Sequence, residues 1–173
     1  METAITALIV ISLLVLSILM VTERSLSAQA SFSESLRQMQ DGIEERSRTG
    51  VTPIKAETKN SGATVEITLK NTGNAKLADF GRWDVILEYD TGGGWQTRWY
   101  SYSSPASANQ WTVAGIYLNA ATPTAEVFEP NIFNPGEEMV IQVSVSPVVG
   151  SSTTNRATIA TPNGISASTV FTR

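Results

Sequence analysis

The N-terminal apolar run is the feature that most limits how this chain can fold. Between Ala4 and Val21 there is no charged residue, and the only polar side chains are those of Thr6, Ser12 and Ser17. A run of about 18 apolar residues is long enough for a helix that crosses a membrane. Because such a helix is apolar on every side, the sequence predicts that it packs against lipid or against other helices.

The residues before the run indicate how it is used. Signal peptides and membrane anchors normally carry Lys or Arg ahead of the apolar stretch, whereas only Met1, Glu2 and Thr3 precede this one. We therefore expect that a basic leader has been removed and that Met1 is the first residue of the mature chain. The alternative is an uncleaved membrane anchor whose orientation is set by Arg24.

The helical pattern continues beyond the apolar run. No proline occurs between Thr22 and Arg48, and Thr49-Gly50 supplies a stop signal. One face of this second half carries four apolar residues at helical spacing: Phe32, Leu36, Met39 and Ile43. At about 1.5 Å per residue, a helix of this length would be roughly 70 Å long, whereas a small domain is about 30 Å across. The helix therefore cannot be buried within its own fold.

From about Val51 onwards the pattern changes to alternation of period two, which indicates β-strands. The predicted strands are 65–69, 83–89, 95–102, 110–118, 139–145, 156–160 and 165–171, and the last two form a hairpin. Such a series of short strands predicts an antiparallel sandwich of immunoglobulin-like type, with a barrel as the alternative. The predicted fold is α+β by parts: a long N-terminal hydrophobic helix, residues 1–48, followed by an all-β sandwich domain, residues 49–173.

The aromatic residues of the predicted sandwich allow two interpretations. Its four tryptophans are Trp83, Trp95, Trp99 and Trp111. In the first interpretation they dominate the core. In the second, an exposed binding or subunit-contact surface is formed by Trp99, Tyr100, Tyr102 and Trp111, since large exposed aromatic patches mark interfaces.

The composition excludes several kinds of chemistry. The chain has no cysteine and no histidine, which excludes disulfides, Cys/His zinc sites and histidine-dependent catalysis. The net charge of −4 gives no reason to expect nucleic-acid binding. No phosphate-loop motif and no acidic loop of EF-hand spacing occurs. We expect no cofactor and no metal.

Carboxylate pairs are the remaining candidates for catalysis. By residue type alone, a glycosidase-like pair could come from Glu126 and Glu129, from Glu137 and Glu138, or from Asp84 and Glu88. The pair Glu137-Glu138 follows a turn, where a solvated rim is the simpler interpretation. We expect that the chain is not an enzyme.

Three segments resemble those of a known family. The segment Thr3–Ile11 looks like the start of a mature archaellin, the subunit of archaeal-type swimming filaments. The strand and turn at 67–73 and the closing segment at 161–166 are similar to segments common in archaellins, and the order of parts resembles the family over the whole chain. Bacterial type IV pilins typically carry glutamate as the fifth mature residue, where this chain has Ile5. The resemblance therefore favours an archaellin.

The resemblance implies a structural subunit that polymerises into an extracellular archaellum filament for swimming. It also implies a membrane-inserted precursor, a basic class III signal peptide cut by a prepilin-type signal peptidase, and assembly by a membrane platform and an assembly ATPase. The residues expected to pack in the core of this helical homo-oligomer are Ile5, Leu8, Ile9, Ile11, Leu13, Leu14, Leu16, Ile18, Leu19 and Met20.

The second helical face, with Phe32, Leu36, Met39 and Ile43, is expected to cover a flank of the β domain or of a neighbouring subunit. Two other functions fit the same order of parts. One is an adhesive type IV-like pilin, and the other is a membrane-anchored, stator-like component of the archaellum.

Overall fold

The computed structural model describes residues 2–126 and 128–173, which contain one α-helix, nine strands and two single-turn 3-10 helices, Asn60–Gly62 and Phe80–Arg82. The bounds of the α-helix and the strands are α1 Glu2–Arg48, β1 Val51–Lys59, β2 Thr64–Asn71, β3 Asp84–Asp90, β4 Trp95–Tyr102, β5 Gln110–Asn119, β6 Thr124–Ala125, β7 Glu138–Ser144, β8 Thr154–Ala160 and β9 Ser166–Thr172. The chain divides into two compact units, one up to Ile43 and the other Glu44–Arg173.

The strands form a sandwich whose two sheets are joined at one point. The order of hydrogen-bonded neighbours is β1-β2-β7-β5-β4-β3-β8-β9, with β6 paired to β5. Neighbouring strands are antiparallel except β4 and β5, which pair in parallel over two residues, Ser101 with Gln110 and Tyr102 with Trp111. The two end strands of this order, β1 and β9, lie near each other, so the two joined sheets together form a nearly closed structure. The predicted fold class, a long helix followed by an antiparallel sandwich, is confirmed.

The core lies between the two sheets and consists of every second residue of the strands. In β2, Val65, Ile67 and Leu69 are fully buried, and Ile67 pairs directly with Ile141 of β7. Trp83 is also buried, and its indole N–H donates to the carbonyl of Ala78 at 3.1 Å. The alternation of β-branched and aromatic residues therefore places one apolar face of each sheet against the other.

Two of the four tryptophans are not in this core, contrary to the first interpretation. Trp83 and Trp111 are buried, whereas Trp95 is 67% exposed and Trp99 is 56% exposed. The reason is the pleat of β4, because successive side chains point to opposite faces. Tyr100 points into the core. Trp99 precedes Tyr100 by one residue and Trp95 precedes it by five, so both tryptophans point outward.

The last turn of α1 is held by a loop that we call the helix clamp, residues 71–75. The backbone N–H groups of Asn74 and Ala75 both donate to the carbonyl of Arg48, at 2.7 and 3.1 Å. The N–H groups of Thr72 and Gly73 donate to the carbonyl of Gly50, at 2.9 and 3.1 Å. Since the last carbonyls of a helix lack partners within it, the clamp supplies partners for the helix end.

Side chains complete the clamp. Asn71, which is buried, donates from its amide to the carbonyls of Ala75 and Phe133, at 2.9 and 2.8 Å, and accepts from the N–H of Gly73 at 3.1 Å. Asn163 donates to the hydroxyl of Thr49 at 2.7 Å. The turn between β2 and β3 and the turn between β8 and β9 therefore both contact the helix end.

Gly73→Ala should weaken the clamp. A Cβ at residue 73 would collide with the carbonyl oxygen of Arg48 and the amide nitrogen of Gly50. We expect the free energy of unfolding to fall by about 1–3 kcal/mol, the usual cost of forcing atoms into a packed site. Denaturant unfolding of the chain in detergent, followed by tryptophan fluorescence, measures this change.

The matched control is Gly93→Ala in the turn between β3 and β4. There the nearest atom to an added Cβ is the Thr91 hydroxyl oxygen at 3.8 Å, so the change should stay within about 0.5 kcal/mol. Equal unfolding midpoints for the two variants would contradict the packing argument at Gly73.

Candidate assembly surface

The first half of α1 is an apolar surface that nothing in the described chain covers. Every residue from Thr3 to Asp41 is exposed. The ten side chains predicted to pack in a filament core are between 52% and 68% exposed. Val10, Val15 and Val21 were left out of that prediction, yet they are exposed to a similar degree. Their place in the same uninterrupted apolar run could have identified them.

The few polar side chains in this surface have partners within the helix. The hydroxyls of Ser12, Ser17 and Thr22 donate to the carbonyls four residues earlier, those of Leu8, Leu13 and Ile18, at 2.8–2.9 Å. An unpaired hydroxyl in an apolar medium costs several kcal/mol, and these bonds remove that cost. The surface is therefore suited to a medium without water.

The helix also meets the length and composition expected of a membrane span. In the part of the chain that the structure describes, it is the one helix that does so. At about 1.5 Å per residue, 18 residues cover about 27 Å, close to the roughly 30 Å of a bilayer core. The apolar helix therefore fits insertion into a membrane.

The second helical face lies where its spacing predicts. Phe32, Leu36, Met39 and Ile43 fall on one side of α1, and all four are exposed. They form an apolar stripe in an otherwise polar segment. Which surface covers this stripe stays a prediction.

The predicted aromatic surface requires a correction. Of its four residues, Tyr100 and Trp111 are fully buried, Tyr102 is half-buried and Trp99 is exposed. Tyr102 packs edge-on against Trp111, with ring centroids 4.9 Å apart, and the hydroxyl of Tyr100 donates to that of Tyr89 at 3.3 Å. The four cannot form one exposed patch because they point to both faces of the sandwich. Trp99 instead shares its outward face with Trp95, which the prediction had omitted.

The carboxylates considered for catalysis have structural partners. Glu129 accepts from Lys76 at 2.6 and 2.8 Å. Glu137 is buried and accepts from the N–H of Asn134 at 2.7 Å, which closes the turn before β7. Glu138 accepts from the N–H of Ala120 at 2.9 Å. These contacts give the three carboxylates a structural role in loops, in turns and at the start of β7.

The third candidate pair is also accounted for on the outer face of β3. Asp84 accepts from the indole N–H of Trp99 at 2.8 Å. Glu88 pairs with Arg156 of β8 at 3.2 Å. Among the described residues, no group of three or more acidic side chains is placed to hold a metal ion.

Glu126 differs from the other carboxylates because one of its oxygens, Oε1, is buried without a hydrogen-bond partner. Burial raises the pKa of this carboxyl, and the nearby charges of Glu137 and Glu129 raise it further. It lines a cleft of about 450 Å³ beside Phe80 and Tyr102. Glu126 is the one carboxyl among the described residues that line this cleft, whereas glycosidases of the usual kind use a pair of carboxyls.

Residues 4–171 match the family model of the archaeal-type flagellins. No curated protein matches the chain. The family match spans both the apolar helix and the sandwich, and it agrees with the resemblance in Thr3–Ile11 and in the turn that forms the helix clamp.

Solved structures share the fold. The archaellum periplasmic stator protein FlaG from Sulfolobus acidocaldarius is 24% identical, with a TM-score of 0.53, over 71% of this chain and 99% of that chain. The FlaF and FlaG stator complex from the same organism matches at 25% identity and a TM-score of 0.51, over 70% of this chain and 87% of that chain. The archaeal flagellum of Methanospirillum hungatei strain JF1 is 12% identical, with a TM-score of 0.58, over 96% of this chain and 90% of that chain.

The family match decides what kind of protein this is. It covers nearly the whole sequence, including the helix that the sandwich does not bury. The prediction of an archaellin, a structural filament subunit, is thereby confirmed, and the chain belongs to the archaeal-type flagellin family.

Proposed function

We propose that this chain polymerises into an extracellular archaellum filament used for swimming, with the first half of α1 in the filament core. The observation that carries the proposal is the apolar surface from Thr3 to Val21, which is exposed in the single chain. Full burial of one Leu, Ile or Met side chain stabilises by about 1.5–3 kcal/mol. Ten such residues per subunit supply a large driving force for a bundle of identical helices.

Local features of the helix support close packing in such a bundle. A shallow groove on its surface is lined by small and β-branched residues, including Thr3, Ala7 and Val10. Small side chains allow neighbouring helices to approach closely. We propose a heterologous, head-to-side contact between copies, which generates an open helical filament when its rotation does not close into a ring.

Before assembly, the same helix would reside in the membrane as part of the precursor. We propose, from the family, that a prepilin-type signal peptidase removes a basic leader and that a membrane platform and an assembly ATPase build the filament. Met1, the proposed first residue of the mature chain, lies outside the described residues. We propose no enzymatic role for the subunit itself, so the torque would come from other proteins.

A charge in the apolar surface tests the proposal. In cells that express Leu13→Asp as the sole copy, we expect no filaments by electron microscopy, because an unpaired carboxylate in a dry core costs several kcal/mol. The precursor should still fractionate with the membrane, since one central Asp costs only about 2.5–3.5 kcal/mol there and many apolar residues offset it. Near-ultraviolet circular dichroism should show an unchanged sandwich.

The control for this experiment is Leu13→Met, which keeps the volume and apolar character of the side chain. It should give filaments of normal length. Normal filaments from Leu13→Asp would overturn the proposed core, and their absence from Leu13→Met would show that the position is sensitive for a reason other than charge.

A stator-like role is the second candidate, and one observation favours it. The stator complex of FlaF and FlaG is 25% identical to this chain, against 12% for the archaeal flagellum. The two functions differ in copy number, because a filament subunit must dominate sheared filaments whereas a stator stays with the cell. Mass spectrometry of sheared filaments and of washed cells decides between them. Loss of swimming together with loss of filaments in a deletion strain supports the filament role.

We propose a domain boundary at the helix clamp, with residues 1–48 forming the helix and residues 49–173 the outer domain. A fragment of residues 44–173 keeps the carbonyl of Arg48, which accepts two N–H groups of the clamp. It should unfold cooperatively. A fragment of residues 49–173 lacks these bonds and should be about 1–3 kcal/mol less stable. Denaturant titration of both measures the difference, and failure of the 49–173 fragment to fold would contradict the boundary.

A further inference from the structure

The outward face of β4 and β3 carries the most exposed aromatic surface of the sandwich. We call it the tryptophan face and define it by Trp95, Thr97 and Trp99 of β4 with Asp84, Ile86 and Glu88 of β3. The residues of β4 alternate outward with period two, and those of β3 lie opposite them: Trp99 faces Ile86, and Thr97 faces Glu88. Both tryptophans are more than half exposed.

The two indole rings stand apart on this face. Trp95 and Trp99 are four residues apart on one strand, so at about 3.3 Å per residue their Cα atoms are about 13 Å apart. Thr97 lies between them. The rings therefore form two separate flat platforms along the strand with a hydroxyl between them, rather than one continuous apolar patch.

The ring of Trp99 is held in place by a polar contact. Its indole N–H donates to a carboxylate oxygen of Asp84 at 2.8 Å. The bond uses the polar edge of the ring, and Trp99 as a whole is 56% exposed. A ring that is already fixed loses little conformational freedom when a ligand stacks on it, which favours binding.

The charges of the face restrict the ligand. Asp84, Glu88 and Asp90 lie on the outward side of β3, and Arg156 of β8 is paired with Glu88 at 3.2 Å. With three acidic groups and one basic group, the face repels anionic polymers such as nucleic acids and acidic polysaccharides. The carboxylate of Glu88, opposite Thr97 and so between the rings, also disfavours a protein partner, because the cores of protein interfaces are depleted of charged residues.

We propose that the tryptophan face binds a neutral polysaccharide chain. A sugar ring has an apolar face of C–H groups, which an indole ring attracts through its negative face, and a rim of hydroxyl groups. The hydroxyl of Thr97 and the carboxylate of Glu88 lie between the two platforms and suit that rim as hydrogen-bonding partners. Two separated rings match an extended chain of sugars better than a single sugar.

The test uses the full-length chain in a detergent without a sugar headgroup, so that it does not depend on filament assembly. Immobilised chain is titrated with a soluble glucan, a soluble mannan and alginate, and binding is followed by biolayer interferometry. We expect binding of a neutral polymer and weaker binding of alginate. Trp95→Ala and Trp99→Ala should each weaken binding by at least about tenfold, as loss of an aromatic anchor does.

Two further variants distinguish the effect of the stacking ring from that of the indole N–H and from that of an exposed ring elsewhere. Trp99→Phe keeps a stacking ring without the indole N–H and should bind within about threefold of the wild type. Phe128→Ala removes an exposed ring elsewhere on the sandwich, one that is 69% exposed, and should bind as the wild type does.

Several results would overturn the proposal. They are no binding of either neutral polymer, tighter binding of alginate, unchanged binding by the two alanine variants, or an equal loss in Phe128→Ala. Sedimentation of the same variants measures association between copies of the chain, and it tests the alternative that this face is a contact between subunits. If Trp95→Ala and Trp99→Ala disrupt association between copies and neither neutral polymer binds, the face is a contact between subunits.

Discussion

The uncovered apolar half of α1 is the constraint on which the rest of this molecule depends. A helix with apolar side chains on every side is unfavourable in water, and within the described residues nothing covers it from Thr3 to Val21. The hydroxyls of Ser12 and Ser17 donate to backbone carbonyls of the helix, so these hydroxyls do not need water as a hydrogen-bond acceptor. Such a helix therefore needs lipid or other helices around it.

The helix clamp is the second constraint, and it acts within the unit Glu44–Arg173. The turn after β2 looks like an ordinary surface turn in sequence, yet its N–H groups hold the carbonyls of Arg48 and Gly50. A side chain at residue 73 would not fit, because the backbone of the helix end occupies that space. The turn therefore connects two strands and also holds the end of a helix.

The sequence predicted much of this architecture because its signals are local. The apolar run and its polar continuation predicted α1, alternation predicted β2, β3 and β7 closely, and aromatic strand formers predicted β4. It did not predict β1 as a separate strand, since Pro53 and a register shift between Pro53 and Lys55 break the alternation. Trp95 and Trp99 were misplaced because β4 carries aromatic residues on both faces, and composition alone does not say which face is buried. The role of the 71–75 turn depends on contacts that are distant in sequence, which a local pattern does not contain.

The distribution of ionisable groups along α1 has a physical consequence for the filament. Between Thr3 and Thr22 no side chain carries a charge, the nearest charged residues on either side being Glu2 and Glu23, and the chain has no histidine. A core built from this segment has nothing to protonate and no ion pair for salt to screen. Its cohesion would be set by the hydrophobic effect, which weakens on cooling. The filament core would then respond to temperature but not to acidity, and adaptation to acidity would fall to the outer domain.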